Sequence, residues 1–308
     1  MRVTNGMIAR HTRNYIQEGM QKLARTQEMM STSKKIIRLS DDPTALSQLL
    51  DVKSSMEMNK QYMRNIQDGL SYLEGADTAL GTAGDLLKKA QTYAIQATNG
   101  TLNNNDMAAI GEQIDKMIDE LVDIANTTMG GKYIFAGTDN NRPPFKRVND
   151  TITYQGNLER VYREILDQAN YAIDVPSVGD SSDPGLFGFY DNATNIVSGG
   201  IFDTLIDFKN RLKNGDVASL EQSINEIDDQ VDHLLSFRVQ VGARTNHFES
   251  VQDQLQDQEL RLTQVMSNLE DVDLARVSID LAQQQLTYQS SLAAGAQILQ
   301  VTLLDFLK

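Results

Sequence analysis

Apolar residues return every four and then three positions through Ala45, Leu49, Val52, Met56, Met63, Ile66, Leu70, Leu73, Leu80, Leu87 and Ala94. This heptad spacing draws one narrow apolar stripe along a single helix of about fifty residues, roughly 75 Å long. A stripe so long and narrow cannot be wrapped by a globular core. Other long helices must lie alongside it, so the spacing predicts a rod. Asn59, Asp77, Gly84 and Gln91 interrupt the line. A second stripe runs through Ile110, Ile114, Met117, Leu121 and Ile124, and a short one through Ile201, Leu205, Phe208 and Leu212. The longest begins at Leu220, Ile224, Ile227, Val231, Leu234 and Val241 and continues through Phe248, Val251, Leu255, Leu262, Val265, Leu269 and Val272. "TNGTLNNND" (98–106) and "KNGD" (213–216) read as turns. Short connections make consecutive helices antiparallel, so 44–129 is expected to bundle with 200–270 and 1–39 to lie against 273–308.

The two ends of the chain differ from its middle. "KKIIRLSDDPTALSQLL" (34–50) stops one helical pattern and starts another. Asp42 suits an N-cap, Pro43 the first helical position, and proline disfavours helix at the residue before it. One helix is therefore expected to end near Leu39 and the next to begin at Pro43. A second acidic cluster, "LEDVDLA" (269–275), lies about as far from the C-terminus as the first lies from the N-terminus. The two breaks are expected to sit side by side as a joint built from Asp41, Asp42, Pro43, Asp271 and Asp273. Outside the joint, one arm carries Ile16, Met20, Leu23, Met30 and Ile37, with polar Gln27 and Lys34 on the same line. The other carries Leu281, Tyr288, Leu292, Leu299 and Phe306, with Gln285, Gly295 and Thr302 on the line. Such thin stripes bury little, while ordering each residue costs ~1–2 kcal/mol. The arms are expected to be frayed alone and to become ordered as assembly elements when neighbouring copies cover them.

Residues 131–199 break the helical pattern. They hold Pro143, Pro144, Pro176 and Pro184 and nearly half of the Phe and Tyr residues. "KYIFAG", "TITYQGNLERVYREI" and "NYAIDV" carry β-formers between turn residues, and Gly156-Asn157 suggests a hairpin. The fold class expected is mainly α: a long antiparallel helical coiled-coil rod with a small β-rich domain inserted. Its divisions are terminal arms at 1–42 plus 271–308, a helical rod at 43–130 plus 200–270, and the β-rich insertion at 131–199.

Composition narrows the function. The absence of Cys excludes disulfides, thiolate metal sites and Cys nucleophiles. A net charge of -14 disfavours phosphate backbones and anionic membranes as partners. No apolar run spans a membrane or forms a signal-peptide core. His11, His233 and His247 do not group at a metal-binding spacing, "MGGKY" lacks the upstream glycine of a P-loop, and neither "SDDP" nor "EDVD" has an EF-hand's alternating ligands. The residues therefore point to no catalytic site, cofactor or metal.

"MRVTNGMI" at the start, the break at 34–50, "GGKYIFAGTDNNRPPF" (130–145) and the terminal "LEDVDLARVSIDLAQQQLTYQSSLAAGAQILQVTLLDFL" together resemble the flagellin superfamily, and within it the hook–filament junction branch. The resemblance implies paired terminal helices (D0), a helical rod (D1) and an outward β-rich domain (D2). It implies a structural adaptor of the bacterial flagellum, extracellular, exported by the flagellar type III apparatus without a cleaved signal. Its implied partners are copies of itself in a ring, hook-associated protein 1 on the hook side, flagellin on the filament side, and an export chaperone on the C-terminal arm. Flagellin itself is the nearest alternative, but flagellins typically end in an Asn/Gln-rich segment where this chain reads "AAGAQILQVTLLDFLK". A soluble coiled-coil signalling module is the distant alternative.

Overall fold

The computed structural model describes residues 5–38, 40–98, 102–180, 183–215 and 217–306. The elements run α1 (Asn5–Thr32), α2 (Pro43–Thr98), α3 (Asn104–Ala125), eight short strands, α4 (Ile201–Asn214), α5 (Val217–Glu270) and α6 (Leu274–Phe306). The chain divides into two compact units, Met1–Met58 with Asp257–Lys308, and Asn59–Gln256. The turn expected at 98–106 falls partly on residues 99–101, outside the described residues. Its end is visible in the capping box of α3, where the Asn103 side chain accepts from the Asn105 and Asp106 amides and the Asp106 side chain accepts from the Asn103 amide.

In the 59–256 unit the stripe of α2 is the core. Ile66, Leu73, Leu80, Leu87 and Ala94 are buried, as are Ile227, Leu234, Val241, Phe248 and Leu255 of α5. The polar interruptions of the stripe face the same partner. The Asn59 amide donates to the Leu255 carbonyl at 2.9 Å. Asp77 takes two hydrogen bonds from Arg238, and the Gln91 amide donates to Asp228. Partners that descend along α5 as α2 ascends fix the pairing as antiparallel. A second heptad line, Ala76, Ala83, Ala90 and Ala97, is also buried. One heptad earlier lies Gly69, where a Cβ would come within 2.5 Å of the Phe248 ring. This small-residue line lets neighbouring elements approach α2 closely.

The strands are β1 (Thr128–Met129), β2 (Lys132–Tyr133), β3 (Phe145–Val148), β4 (Thr151–Tyr154), β5 (Tyr162–Leu166), β6 (Ala169–Ala172), β7 (Phe189–Asp191) and β8 (Ile196–Ser198). They form a four-stranded sheet in the order β3-β4-β8-β7 and two hairpins, β1-β2 and β5-β6, all antiparallel. Gly156-Asn157 does not turn a hairpin. The turns fall instead beside Asn149 and Gln168, whose φ values of 55° and 56° are left-handed. Gly156 links β4 to β5, and its smallness serves packing: a Cβ there would lie 2.5 Å from the Tyr154 hydroxyl. That buried hydroxyl bonds to the Phe135 and Asn157 carbonyls.

The sheet is pinned to helices at its first strand. The Asn126 side chain, just past α3, both donates to the Phe145 carbonyl and accepts from the Phe145 amide. Phe145 packs on Tyr154, Phe187 and Phe202, the last from α4. Nearby, buried Lys209 of α4 pairs with Asp115 of α3 and with Asp150 in the β3–β4 turn. Arg147 of β3 pairs with Asp115 and Asp119. Hydrogen bonds from these cations hold Asp115 and Asp150 below the usual carboxylate range, against a smaller upward push from burial. Replacing Lys209 by Ala strips both carboxylates of a buried cation. Because the carboxylates are half-exposed, the expected loss is about 2 kcal/mol, less than for a fully buried pair. It should appear as a lower urea midpoint with unchanged slope.

Candidate assembly interface

Both breaks lie in the unit formed by Met1–Met58 and Asp257–Lys308, and the structure brings them together. Pro43 is the first residue of α2, and the Asp42 carboxylate accepts from the Thr44 and Ala45 amides, capping that helix. Asp273 does the same for α6, accepting from the Ala275 and Arg276 amides. Asp41 accepts from the Ile37 and Arg38 amides and pairs with Arg25 at 3.0 Å. Those backbone bonds, with the two arginines, hold its carboxyl below the usual range. Asp271 meets Lys34 in an antiparallel backbone bridge. Around it the Lys35 amide donates to the Glu270 carbonyl at 2.8 Å and the Val272 amide to the Ser33 carbonyl at 3.1 Å.

The first break is longer than the proline signal suggests. α1 ends at Thr32, well before Leu39, and Ser33 is left-handed at φ 58°. The backbone leaves the helix to form the short bridge with 271. Ile37 therefore belongs to the joint, not to the α1 stripe. Lys34, which looked like a polar flaw in that stripe, reaches Glu270 at 2.6 Å, and Lys53 of α2 reaches the same oxygen at 3.2 Å. Glu270 is buried. Burial pushes its carboxyl up, but the two lysines outweigh burial and leave it below the ordinary glutamate value. Sequence reading passed over Glu270; an acid beside a helix end and a lysine excused from a stripe were the available signals.

Beyond the joint α1 lies along α6. Thr26 is buried between them and donates to Gln284 at 2.7 Å. Gly19 and Gly295 make the close approaches. Tyr288 Cδ2 is 3.6 Å from where a Gly19 Cβ would stand, and Ile16 Cδ1 is 3.1 Å from that of Gly295. Gly295 had read as an interruption, yet it is a contact. Among the expected interface residues, Ile16, Leu23, Leu281 and Tyr288 are half-buried between the arms, while Met20, Met30 and Leu292 are exposed. The side chains of Leu299 and Phe306 lie outside the described residues. Three further apolar residues of the arms, Tyr15, Ile279 and Leu286, are each about two-thirds exposed (66%, 68% and 66%). A groove of about 610 Å³ runs between the arms, lined by Tyr15, Gly19, Gln284, Tyr288 and others. Among the described residues no group of three His, Asp or Glu is placed to hold a metal ion, and no helix is long and apolar enough to cross a membrane.

The model of the bacterial flagellin N-terminal helical region matches residues 3–140, and that of the C-terminal helical region matches 224–307. The chain belongs to the flagellin family, whose members are structural subunits of the flagellum. Its relatives named flagellar hook-associated protein 3 support a flagellar structural adaptor over a filament subunit. It is similar to flagellar hook-associated protein 3 of Escherichia coli K12, 27% identical over 87% of each chain. It is 25% identical to that of Salmonella typhimurium, over 94% of this chain and 95% of the other. The flagellin of Bacillus subtilis is 24% identical over 96% of each. The fold is shared with a putative flagellar hook-associated protein of Vibrio parahaemolyticus, with a TM-score of 0.63 at 18% identity, over 75% of this chain and 100% of that one. It is also shared with Bacillus cereus FlgL, with a TM-score of 0.55 at 23% identity, over 70% and 99%.

The Glu270 cluster yields a test. Glu270→Gln removes the charge that both lysines share and should weaken the joint by about 1–2 kcal/mol. Hydrogen exchange at the Lys35 and Val272 amides should speed roughly tenfold. In the unaltered chain the carboxyl is lowered by folding, so its contribution is full above the ordinary glutamate value and is lost as pH falls through the lowered one. Protection of those two amides should therefore hold near neutrality and fade only in acid.

Proposed function

We propose that the chain forms a ring of copies at the hook–filament junction, between hook-associated protein 1 and the first flagellin subunits. Residues 1–42 with 271–308 act as the axial arms, 43–130 with 200–270 as the rod, and 131–199 as the outward domain. The chain leaves the cell unfolded through the flagellar type III apparatus, without a cleaved signal, and a chaperone holds its C-terminal arm beforehand. Its work is mechanical and uses no catalytic residue, cofactor or metal.

One observation carries this reading: the arms leave Tyr15, Met20, Ile279, Leu286 and Leu292 facing solvent. A two-helix pair can bury only one side of each helix, and apolar residues all round a helix call for further neighbours. Charge supports the same conclusion. Lys and Arg nearly balance Asp and Glu in the unit that carries the arms, and residues 59–256 hold almost all of the net -14. Copies can thus bring their arms together with little mutual repulsion.

Replacing Leu292 by Asp should abolish incorporation into flagella while changing the stability of the isolated chain by no more than ~0.5 kcal/mol. A large loss of stability would show that this side chain is already core. Deleting 273–308 should leave a helical, soluble chain unable to support filament growth. Normal filaments grown on the truncated chain would refute the adaptor role. Purified chain that polymerised alone into long filaments would instead favour flagellin.

A further inference from the structure

The net charge of -14 is unevenly spread. Residues 1–40 carry eight Lys and Arg against two Glu, and the rest of the chain twenty against forty acids, so the N-terminal arm is positive in a negative protein. The first acid is Glu18; before it stand Arg10 and Arg13, both exposed. α1 meets α6 through Thr12, Ile16, Gly19 and Thr26, with Gly19 opposite Tyr288 and both Thr12 and Ile16 opposite Gly295. This antiparallel order sets the last turns of α6 beside the first turns of α1. At 3.6 residues per turn, Arg10 lies on the side of α1 away from α6 and Arg13 on its flank. The paired stretch of α6, from Tyr288 to Phe306, holds one acid, Asp305, and its sequence "ILQVTLLDF" (298–306) is mostly apolar. Met7, Tyr15 and Leu292 of the same end are exposed. The outer end of the arms is therefore apolar, cationic and nearly free of acids.

We propose that this end of the arms is a membrane-surface element: in the unassembled chain it lies in the interface of an anionic phospholipid bilayer. Apolar side chains enter the boundary of the acyl chains while Arg10 and Arg13 reach the lipid phosphates. Helices that lie on a bilayer without crossing it are built this way, and no helix among the described residues is long and apolar enough to cross one. The acids of the joint do not forbid the contact. Arg10 stands roughly 33 Å along α1 from Thr32, and charges more than about 10 Å from the surface are largely screened. In an assembled state neighbouring copies would cover the same apolar residues, so adsorption and assembly compete for one surface. The adsorption itself needs nothing from the ring reading. Its use, holding the chain at the membrane before export, rests on that reading.

Vesicle binding tests the proposal. The full chain should co-sediment at low salt with vesicles of phosphatidylglycerol and phosphatidylcholine in equal parts. High salt should release it, and vesicles of phosphatidylcholine alone should not bind it. Arg10→Glu, Arg13→Glu should weaken binding by roughly tenfold or more. Lys88→Glu, Lys89→Glu, an equal change of net charge at exposed positions of the 59–256 unit, should leave it unchanged. Equal losses in the two variants would show that only the total charge matters and would overturn the assignment to the arms. Failure of the unaltered chain to bind the anionic vesicles would overturn the adsorption; normal incorporation of that chain into flagella would leave the junction reading standing.

Fluorescence gives an independent measure. The chain has no Trp, so Tyr15→Trp supplies a single reporter at the outer end of α1. Its emission should move to the blue when the anionic vesicles are added. Chain bound with unmoved emission would overturn insertion of this end into the interface. Equally strong binding to double-stranded DNA would show an unselective contact with polyanions and overturn the lipid assignment.

Discussion

A heptad stripe is only about two residues wide per two turns, and that narrowness governs the whole molecule. The stripe of α2 is too long for a globule to enclose, so α5 must run beside it in the opposite direction. Apolar positions make the pairing favourable but leave it free to slip by a heptad. The polar positions remove that freedom: Asn59 with Leu255, Asp77 with Arg238 and Gln91 with Asp228 are satisfied in one register only. The line Gly69, Ala76, Ala83, Ala90 and Ala97 then lets other elements close on α2. Register comes from the imperfections of the stripe and close packing from its smallest residues.

The joint follows a different rule. It has few large apolar groups, chiefly Ile36, Leu49 and Val277, and relies on caps, a backbone bridge and one buried acid. Two lysines from different segments converge on Glu270, and such an arrangement is costly to leave half-made. The same economy continues into the arms, where glycine contacts at Gly19 and Gly295 take the place of large knobs. Arms built this way keep much of their apolar surface outside. For an isolated protein that would be a liability; in the proposed function it is the surface that neighbouring subunits cover.

The β-rich segment shows where periodicity loses its power. Strands of two to five residues carry little pattern, and their partners are set by aromatic packing across distant positions. Phe145, Tyr154, Phe187 and Phe202 come from separate stretches of chain yet share one cluster. Gly156 looked like a turn residue because glycine is common in turns. Its actual reason is the nearness of the Tyr154 hydroxyl, which no local signal reveals. Lys209 is similar, an ordinary helical lysine until Asp115 and Asp150 close over it.

The sequence alone determined the long helices, their antiparallel pairing, the cap at Asp42–Pro43, the second break around Asp271 and Asp273 and the family to which the chain belongs. These are written in local chemistry: spacing of apolar groups, cap residues, and motifs that extend along one element. Only the tertiary structure decided that α1 stops at Thr32, that Lys34 and Lys53 share Glu270, that Gly295 is a contact rather than a gap, and which apolar faces of the arms stay open. Each of those depends on what stands opposite a residue across the bundle. A heptad pattern names the side of a helix that must be covered, and leaves the identity of the covering side chain to the packing of the whole.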